Sequence, residues 1–121
     1  MERFRHWAFV CEASTCRWQG SPQVREALAR AVTEGGSADV AVVRTGCLSL
    51  CGAGPAVVTY PNGDVHLRVE PDDAPDLAGQ LAAGAPLQRR VVRAPPWYRE
   101  QITRRLGYLV ELLKRRLPAS P

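Results

Sequence analysis

The eleven residues Thr45–Pro55, Thr-Gly-Cys-Leu-Ser-Leu-Cys-Gly-Ala-Gly-Pro, contain two of the four cysteines of the chain, Cys47 and Cys51. Apolar runs flank this stretch, Val40–Val43 before it and Ala56–Val58 after it. Short apolar runs predict strands, and the glycines and the proline between them predict a loop. A pair of thiols on a short loop between two strands can present soft sulfur ligands to a metal.

The other two cysteines, Cys11 and Cys16, also follow an apolar run, His-Trp-Ala-Phe-Val-Cys over residues 6–11. The two pairs have the spacings C-x4-C and C-x3-C, and 30 residues lie between them. A [2Fe–2S] cluster takes four ligands, normally thiolates, with two on each iron, so two facing loops of this kind satisfy it. Glycines beside the second pair would let backbone amides approach the sulfurs: Gly46, Gly52 and Gly54.

Other chemistries also use four cysteines. Four thiolates satisfy tetrahedral zinc, although zinc knuckles more often place two residues between the cysteines of a pair. Two structural disulfides fit an even cysteine count. A thioredoxin-type catalyst needs C-x-x-C, which the chain lacks. The spacing favours a cluster and leaves structural zinc and disulfides open.

The apolar patterns predict the element order β-α-β-loop-β-β-α, an α/β fold with a small mixed sheet. After the strand over residues 6–11, Ser21 is the expected N-cap of a helix that ends at Gly35-Gly36. Its apolar stripe is Val24, Leu28, Ala31 and Val32. A strand over Asp39–Thr45 alternates little, which predicts burial on both faces.

Asn62-Gly63 lies between two apolar runs, Ala56–Tyr60 and Val65–Val69, and predicts a hairpin. A second helix opens at Pro71-Asp72-Asp73, buries Leu77 and Leu81, and ends at Gly84. His6 and His66 are predicted to be ordinary strand residues, because four cysteines already complete a ligand set. No Ser-His-Asp set, phosphate-binding glycine loop or paired carboxylates can be read from the sequence, so no catalytic residues are predicted.

Several of these features together resemble the thioredoxin-like [2Fe–2S] ferredoxins, a family that includes the small iron–sulfur subunit of respiratory complex I. The matching features are Cys11-x4-Cys16 followed by Gly20-Ser21 and a helix, Cys47-Leu48-x-x-Cys51, Gly54-Pro55-x-Val57 and Tyr60-Pro61-Asn62-Gly63. The resemblance covers roughly residues 6–87. Ser49 departs from it, because the family commonly has glycine there.

The resemblance implies a thioredoxin-like fold and a [2Fe–2S] cluster near the surface. By position, Cys11 and Cys16 would hold one iron, and Cys47 and Cys51 the other. It further implies one-electron transfer between redox partner proteins, with donor and acceptor not identified, and members of the family often dimerise. The alternatives are a zinc-stabilised binding or adaptor module and an accessory electron-transfer subunit of a larger redox enzyme.

Charge divides the chain into two predicted parts: residues 1–87, a ferredoxin domain with a net charge of −3, and residues 88–121, with a net charge of +7. The second part is a basic, proline-punctuated arm followed by an amphipathic helix, with an apolar stripe at Ile102, Leu106, Leu109, Leu113 and Leu117. Three roles are open for this helix: packing on its own core, pairing with a partner or second subunit, and binding an anionic membrane or nucleic acid. No recognised nucleic-acid motif accompanies it.

No apolar run approaches the ~18 residues that would span a bilayer. Met1–His6 is charged, and Trp7–Val10 is too short for the apolar core of a signal peptide. A cytoplasmic location is therefore predicted, and in that reducing compartment the cysteines are expected to act as ligands rather than in disulfides.

Overall fold

A mixed five-stranded sheet organises residues 4–12, 18–35, 39–46 and 54–116, the parts of the chain that the computed structural model describes. In chain order the strands are β1 His6–Cys11, β2 Val40–Thr45, β3 Val57–Tyr60, β4 Val65–His66 and β5 Val91–Val92. The helices are α1 Ser21–Glu34, α2 Ala74–Ala83, which follows a 3-10 turn at Pro71–Asp73, and α3 Pro96–Arg116. The predicted α/β class, with a small mixed sheet flanked by helices, is confirmed.

The strand order is β2-β1-β3-β4-β5, with β1 in the interior of the sheet. β1 runs parallel to β2 and antiparallel to β3, and the remaining neighbours pair antiparallel. Parallel neighbours need a crossover connection, and α1 supplies it between β1 and β2. Residues Trp7–Cys11 of β1 are all buried, which accounts for the continuous apolar run that predicted this strand.

Alternate residues of β1 face two different cores. Ala8 and Val10 pack with α1 and α2 on one face of the sheet, around Val24, Leu28, Leu77 and Leu81. Trp7, Phe9 and Cys11 belong to the core on the other face. That second core includes three buried residues of α3, namely Ile102, Leu106 and Val110. Of the three roles open for the C-terminal helix, packing on its own core is therefore confirmed.

The start of α1 differs from the prediction. Gly20 occupies the N-cap position at φ 100°, and Ser21 is the first helical residue, so the prediction of Ser21 as N-cap is wrong. The chain enters the helix through the left-handed conformation, which glycine adopts without steric cost. The Ser21 hydroxyl is buried and has no hydrogen-bond partner among the described residues. The predicted apolar stripe of the helix is confirmed, with Val24, Leu28 and Val32 buried.

The predictions for two strands hold only in part. β2 is buried on both faces at its start, where Val40 and Ala41 belong to different cores, but exposure increases along the strand and Arg44 is exposed. β4 stops at His66 rather than Val69. The chain leaves the sheet there, since Arg68 is left-handed at φ 53° and the Val69 amide donates to the Pro55 carbonyl at 3.0 Å.

The basic arm after residue 87 is joined to the sheet in two ways. Val91 pairs with His66 and Val92 with Val65, so the arm contributes the edge strand β5, which the sequence did not predict. Arg89 and Arg90 both donate to the buried carboxylate of Asp73, at 2.9 and 2.7 Å. Asp73 also accepts the Glu70 amide at 2.8 Å. Burial opposes ionisation of Asp73, but these donors outweigh it and hold the pKa below its usual 3.8.

His66 is fully buried within β4 and hydrogen-bonded at both ring nitrogens. Its Nδ1 lies 3.2 Å from the Val57 carbonyl oxygen, and its Nε2 accepts the Leu87 amide at 3.0 Å. An acceptor at Nε2 and a carbonyl at Nδ1 require the neutral ring with its proton on Nδ1. Burial lowers the pKa of His66 below 6.5, against smaller raising effects from Val57 and Asp64.

We expect His66 to make the folded protein less stable as the pH falls below its unfolded pKa of about 6.5. The unfolded chain binds a proton there that the folded chain excludes, so the free energy of unfolding falls by up to about 1.4 kcal/mol per pH unit. Urea titrations between about pH 7.5 and pH 5 measure this slope. Compared with the original protein, His66→Gln should be less stable at about pH 7.5, but its free energy of unfolding should lack the decrease with falling pH that His66 causes. An equal slope in both proteins would contradict the assignment.

Gly63 closes the β3–β4 hairpin at φ 74°, and a Cβ there would lie 2.7 Å from Thr103 Oγ1 of α3. We expect Gly63→Ala to lower the free energy of unfolding by about 1–3 kcal/mol, because it strains the turn and pushes α3 from the sheet. Gly79→Ala is the control, since its Cβ meets nothing within 4 Å and alanine favours the helix. Thermal unfolding of both variants measures the difference. A Gly63→Ala protein as stable as Gly79→Ala would contradict this packing.

Candidate metal centre

Three strand ends meet at one edge of the sheet. β1 ends at Cys11, which pairs with Thr45, the last residue of β2. β3 starts at Val57, which pairs with Val10. The loop containing Cys16 therefore leaves the sheet beside Thr45, two residues before Cys47. The chain re-enters beside the same strand end after Gly54 and Pro55, so both cysteine-containing loops are attached at this edge.

Backbone hydrogen bonds hold these ends together. The Cys11 amide donates to the Ala56 carbonyl at 3.0 Å, and the Glu12 amide donates to the Thr45 carbonyl at 2.9 Å. Pro55 and Ala56 are both buried. The bases of the two loops are thus fixed relative to each other by paired, buried backbone. A ligand set supplied by both loops would start from this arrangement.

Cys11 is a free thiol with 1% of its surface exposed. It lies in the same core as Trp7 and Phe9, on the side of the sheet covered by α3. A buried, apolar setting excludes water from a thiol and suits a soft metal, which thiolates bind in preference to hard oxygen ligands. The donor type and the surroundings of Cys11 therefore fit an iron–sulfur or zinc centre.

An ion pair that no sequence pattern predicted fixes the residue after Cys11. The Arg25 guanidinium of α1 contacts the carboxylate of Glu12, whose side chain is only 8% exposed. The two residues are 13 positions apart, so no local spacing signals the pair. Their contact ties the start of the first cysteine loop to α1, and Glu12 and Arg25 are therefore positioning residues for this loop.

The remaining predicted ligands, Cys16, Cys47 and Cys51, lie outside the described residues, as does Ser49. Within residues 4–12, 18–35, 39–46 and 54–116, no group of three or more His, Cys, Asp or Glu side chains could hold a metal ion. The four-cysteine set thus stays a prediction. Both histidines are strand residues, as predicted, and the ring nitrogens of His66 are already occupied by backbone groups.

Comparison with models of known protein families finds no match. A curated "Ferredoxin, 2Fe-2S" from Aquifex aeolicus is 30% identical over 103 residues, covering 76% of this chain and 92% of the relative. A solved thioredoxin-like [2Fe–2S] ferredoxin from the same organism has a TM-score of 0.69 at 28% identity, covering 78% of this chain and 96% of that one. A chain of an NAD+-reducing [NiFe]-hydrogenase shares the fold at 18% identity and a TM-score of 0.57, covering 72% of this chain and 16% of its own length.

The fold defines a small thioredoxin-like protein in which the bases of both cysteine-containing loops lie at one sheet edge. The sequence identity to the two Aquifex aeolicus ferredoxins, and the large share of each chain that it covers, narrow this class to one family. The chain belongs to the thioredoxin-like [2Fe–2S] ferredoxin family.

We expect Arg25→Ala to lower the free energy of unfolding by about 1–3 kcal/mol, because it leaves the nearly buried Glu12 carboxylate without its partner. Arg30→Ala is the matched control, since Arg30 is exposed on the same helix. The double variant Glu12→Gln, Arg25→Ala should recover part of the loss, because no unpaired charge remains. Urea unfolding measures all three. Equal stability of Arg25→Ala and Arg30→Ala would show that the pair does not hold the loop.

Proposed function

We propose that this chain is a one-electron carrier whose [2Fe–2S] cluster is held by Cys11, Cys16, Cys47 and Cys51. Cys11 and Cys16 would bind one iron, and Cys47 and Cys51 the other. The observation that carries the proposal is the pairing of Cys11 with Thr45, which attaches both cysteine-containing loops to one sheet edge. Family membership supports it independently.

The described residues serve such a centre as a rigid support. When bound, the cluster would accept and release one electron. β1, β2 and β3 fix the bases of the loops through backbone hydrogen bonds, and the Glu12–Arg25 pair restrains the chain after Cys11. The apolar side chains around Cys11 bury its sulfur and exclude water from it. Arg44, exposed near the end of β2, places positive charge close to the second loop.

The wider assignment is part of the same proposal. The protein would exchange electrons with separate donor and acceptor proteins, with no substrate chemistry of its own, and would form a homodimer. Ligand thiols persist in a reducing compartment, which favours the cytoplasm. None of the helices in the described ranges has an apolar stretch that could cross a membrane. Residues 1–87 would form the ferredoxin domain, and residues 88–121 an arm and helix that pack on it.

Metal and sulfide analysis of protein purified without oxygen tests the cofactor. We expect about two irons and two acid-labile sulfides per chain, with the red-brown charge-transfer absorption of a [2Fe–2S] centre. A colourless protein with about one zinc per chain would contradict the proposal and favour a zinc-stabilised module.

Serine substitution within the second loop tests the ligand assignment. We expect Cys47→Ser to lose most of its iron and sulfide, because one iron loses a thiolate. Ser49→Gly is the matched control in the same loop and should keep its full iron content, since the family commonly has glycine there. Iron and sulfide per chain are the measured quantities. Full occupancy of Cys47→Ser with an unchanged spectrum would show that Cys47 is not a ligand.

A further inference from the structure

The outer face of α3 presents a row of four side chains, which we name the outer stripe: Trp97, Arg104, Tyr108 and Arg115. Trp97 and Tyr108 are 63% and 65% exposed, and both arginines are exposed as well. Spacings of 7, 4 and 7 residues place all four within about 40° around the helix axis and along about 27 Å of its length. The buried residues Ile102, Leu106 and Val110 lie on the opposite side of the helix.

The composition of the outer stripe is that of a protein-binding surface. Tryptophan, tyrosine and arginine are the residues most enriched among those that dominate binding energy at interfaces. Exposure of large aromatic rings to water is unfavourable, so burial of these two rings against a partner would be favourable. The two aromatic residues lie three helical turns apart, with arginines beside them. Arg104 is 78% exposed, and its ion pair with Glu100 joins two exposed side chains, so it is screened and weak.

Charge specifies the partner. α3 contains six basic and two acidic residues, for a formal net charge of +4. Three arginines near the start of this part of the chain make internal contacts: Arg89 and Arg90 of the arm bind Asp73, and Arg99 of α3 donates to the Asn62 carbonyl at 3.0 Å. The outer stripe makes no such contact with the sheet. An acidic surface is therefore its electrostatic complement.

Part of the helix also lies beside the base of the second cysteine loop. Its first turns lie at the β3–β4 hairpin, where Arg99 contacts Asn62. Further along, Leu109 and Leu113 line one cleft with Thr45 and Gly46, at the sheet edge where the second cysteine loop begins. A protein bound along the outer stripe would thus reach the end of the molecule where an electron would enter or leave.

We infer that the outer stripe is the docking surface for an acidic redox partner protein. The inference rests on the proposed function, which requires such a partner. Electrostatic steering suits electron transfer, because it speeds the formation of short-lived complexes with small interfaces.

Other occupants fit the structure less well. Insertion into a membrane needs an apolar helix face, and the apolar face of α3 is already buried against the sheet. Single-stranded nucleic acid prefers a charged groove, whereas this surface is one convex helix flanked by Glu100 and Glu111. For a second copy, the acidic cluster of Glu70, Asp73 and Asp76 is already paired with Arg89 and Arg90.

Binding of an acidic haem protein, oxidised cytochrome b5, tests the inference by calorimetry on the full-length protein. We expect Arg104→Glu with Arg115→Glu to weaken binding about tenfold at low salt. The control is Arg5→Glu with Arg30→Glu, which makes the same change of net charge at two exposed positions outside α3. It should bind within about twofold of the original protein. Trp97→Ala with Tyr108→Ala should weaken binding at low and high salt alike, because apolar contacts are not screened.

The outcomes that overturn the inference are specific. Equal weakening in the control would mean that net charge, not the stripe, attracts the acidic protein. The inference would also be overturned if charge reversal of the outer stripe left cytochrome b5 binding intact. If it then abolished binding to phosphatidylserine vesicles, the stripe would be a membrane-binding surface; if it abolished binding to a single-stranded oligonucleotide, the stripe would be a nucleic-acid-binding surface. A fall in sedimentation mass to a monomer, again with cytochrome b5 binding intact, would make it a self-association surface.

Electron transfer separates failure of this inference from failure of the proposed function. In stopped-flow mixing, one electron leaves the reduced protein and converts ferric cytochrome b5 to the ferrous form. We expect the Arg104→Glu, Arg115→Glu variant to slow this reaction about tenfold at low salt while reacting normally with neutral benzoquinone. Failure of the original protein to reduce benzoquinone would contradict the proposed function. The calorimetric binding results would then decide by themselves whether the outer stripe is a docking surface. An unchanged rate with cytochrome b5 would contradict the docking surface.

Discussion

The pairing of β1 with both of its neighbours is the constraint on which the remaining features depend. Parallel pairing with β2 places Cys11 opposite Thr45, and antiparallel pairing with β3 places Val10 opposite Val57. A slip of one residue in either pair would turn every side chain of β1 to the other face of the sheet. Cys11 would then move from the α3 side to the α1 side, and the bases of the cysteine loops would separate. Register thus sets both the composition of the two cores and the geometry of the candidate centre.

Charge adds a second level of organisation. The acidic first part and the basic second part of the chain attract each other locally, through Asp73 and the two arginines of the arm. Those contacts anchor β5 and lead the chain into α3, which covers the face of the sheet that contains Cys11. Arg104 and Arg115 stay exposed on the outside of α3. One uneven charge distribution therefore serves both to attach the helix and to leave a charged surface on it.

Much of this arrangement could be predicted from local patterns. The apolar run before Cys11, the stripe of α1 and the Asn62-Gly63 turn each depend on residues near one another in sequence, and each is confirmed. Residues that act across long separations gave no such signal. Glu12 meets Arg25 only after the crossover helix has folded back, and Val91 becomes a strand residue only because β4 offers a free edge. Ser21 had the chemistry of an N-cap, but Gly20 could adopt the left-handed entry that the chain requires.

The candidate site shows the same division. Cysteine spacing predicts four ligands from the sequence alone, and the strand register places the bases of both cysteine-containing loops at one sheet edge, as a shared centre would require. The most direct test is a crystal structure of the anaerobically purified protein with anomalous diffraction at the iron and zinc edges. We predict two neighbouring iron peaks beside Cys11, at the sheet edge where β1 and β2 end. A single zinc peak there, or iron elsewhere in the molecule, would contradict it.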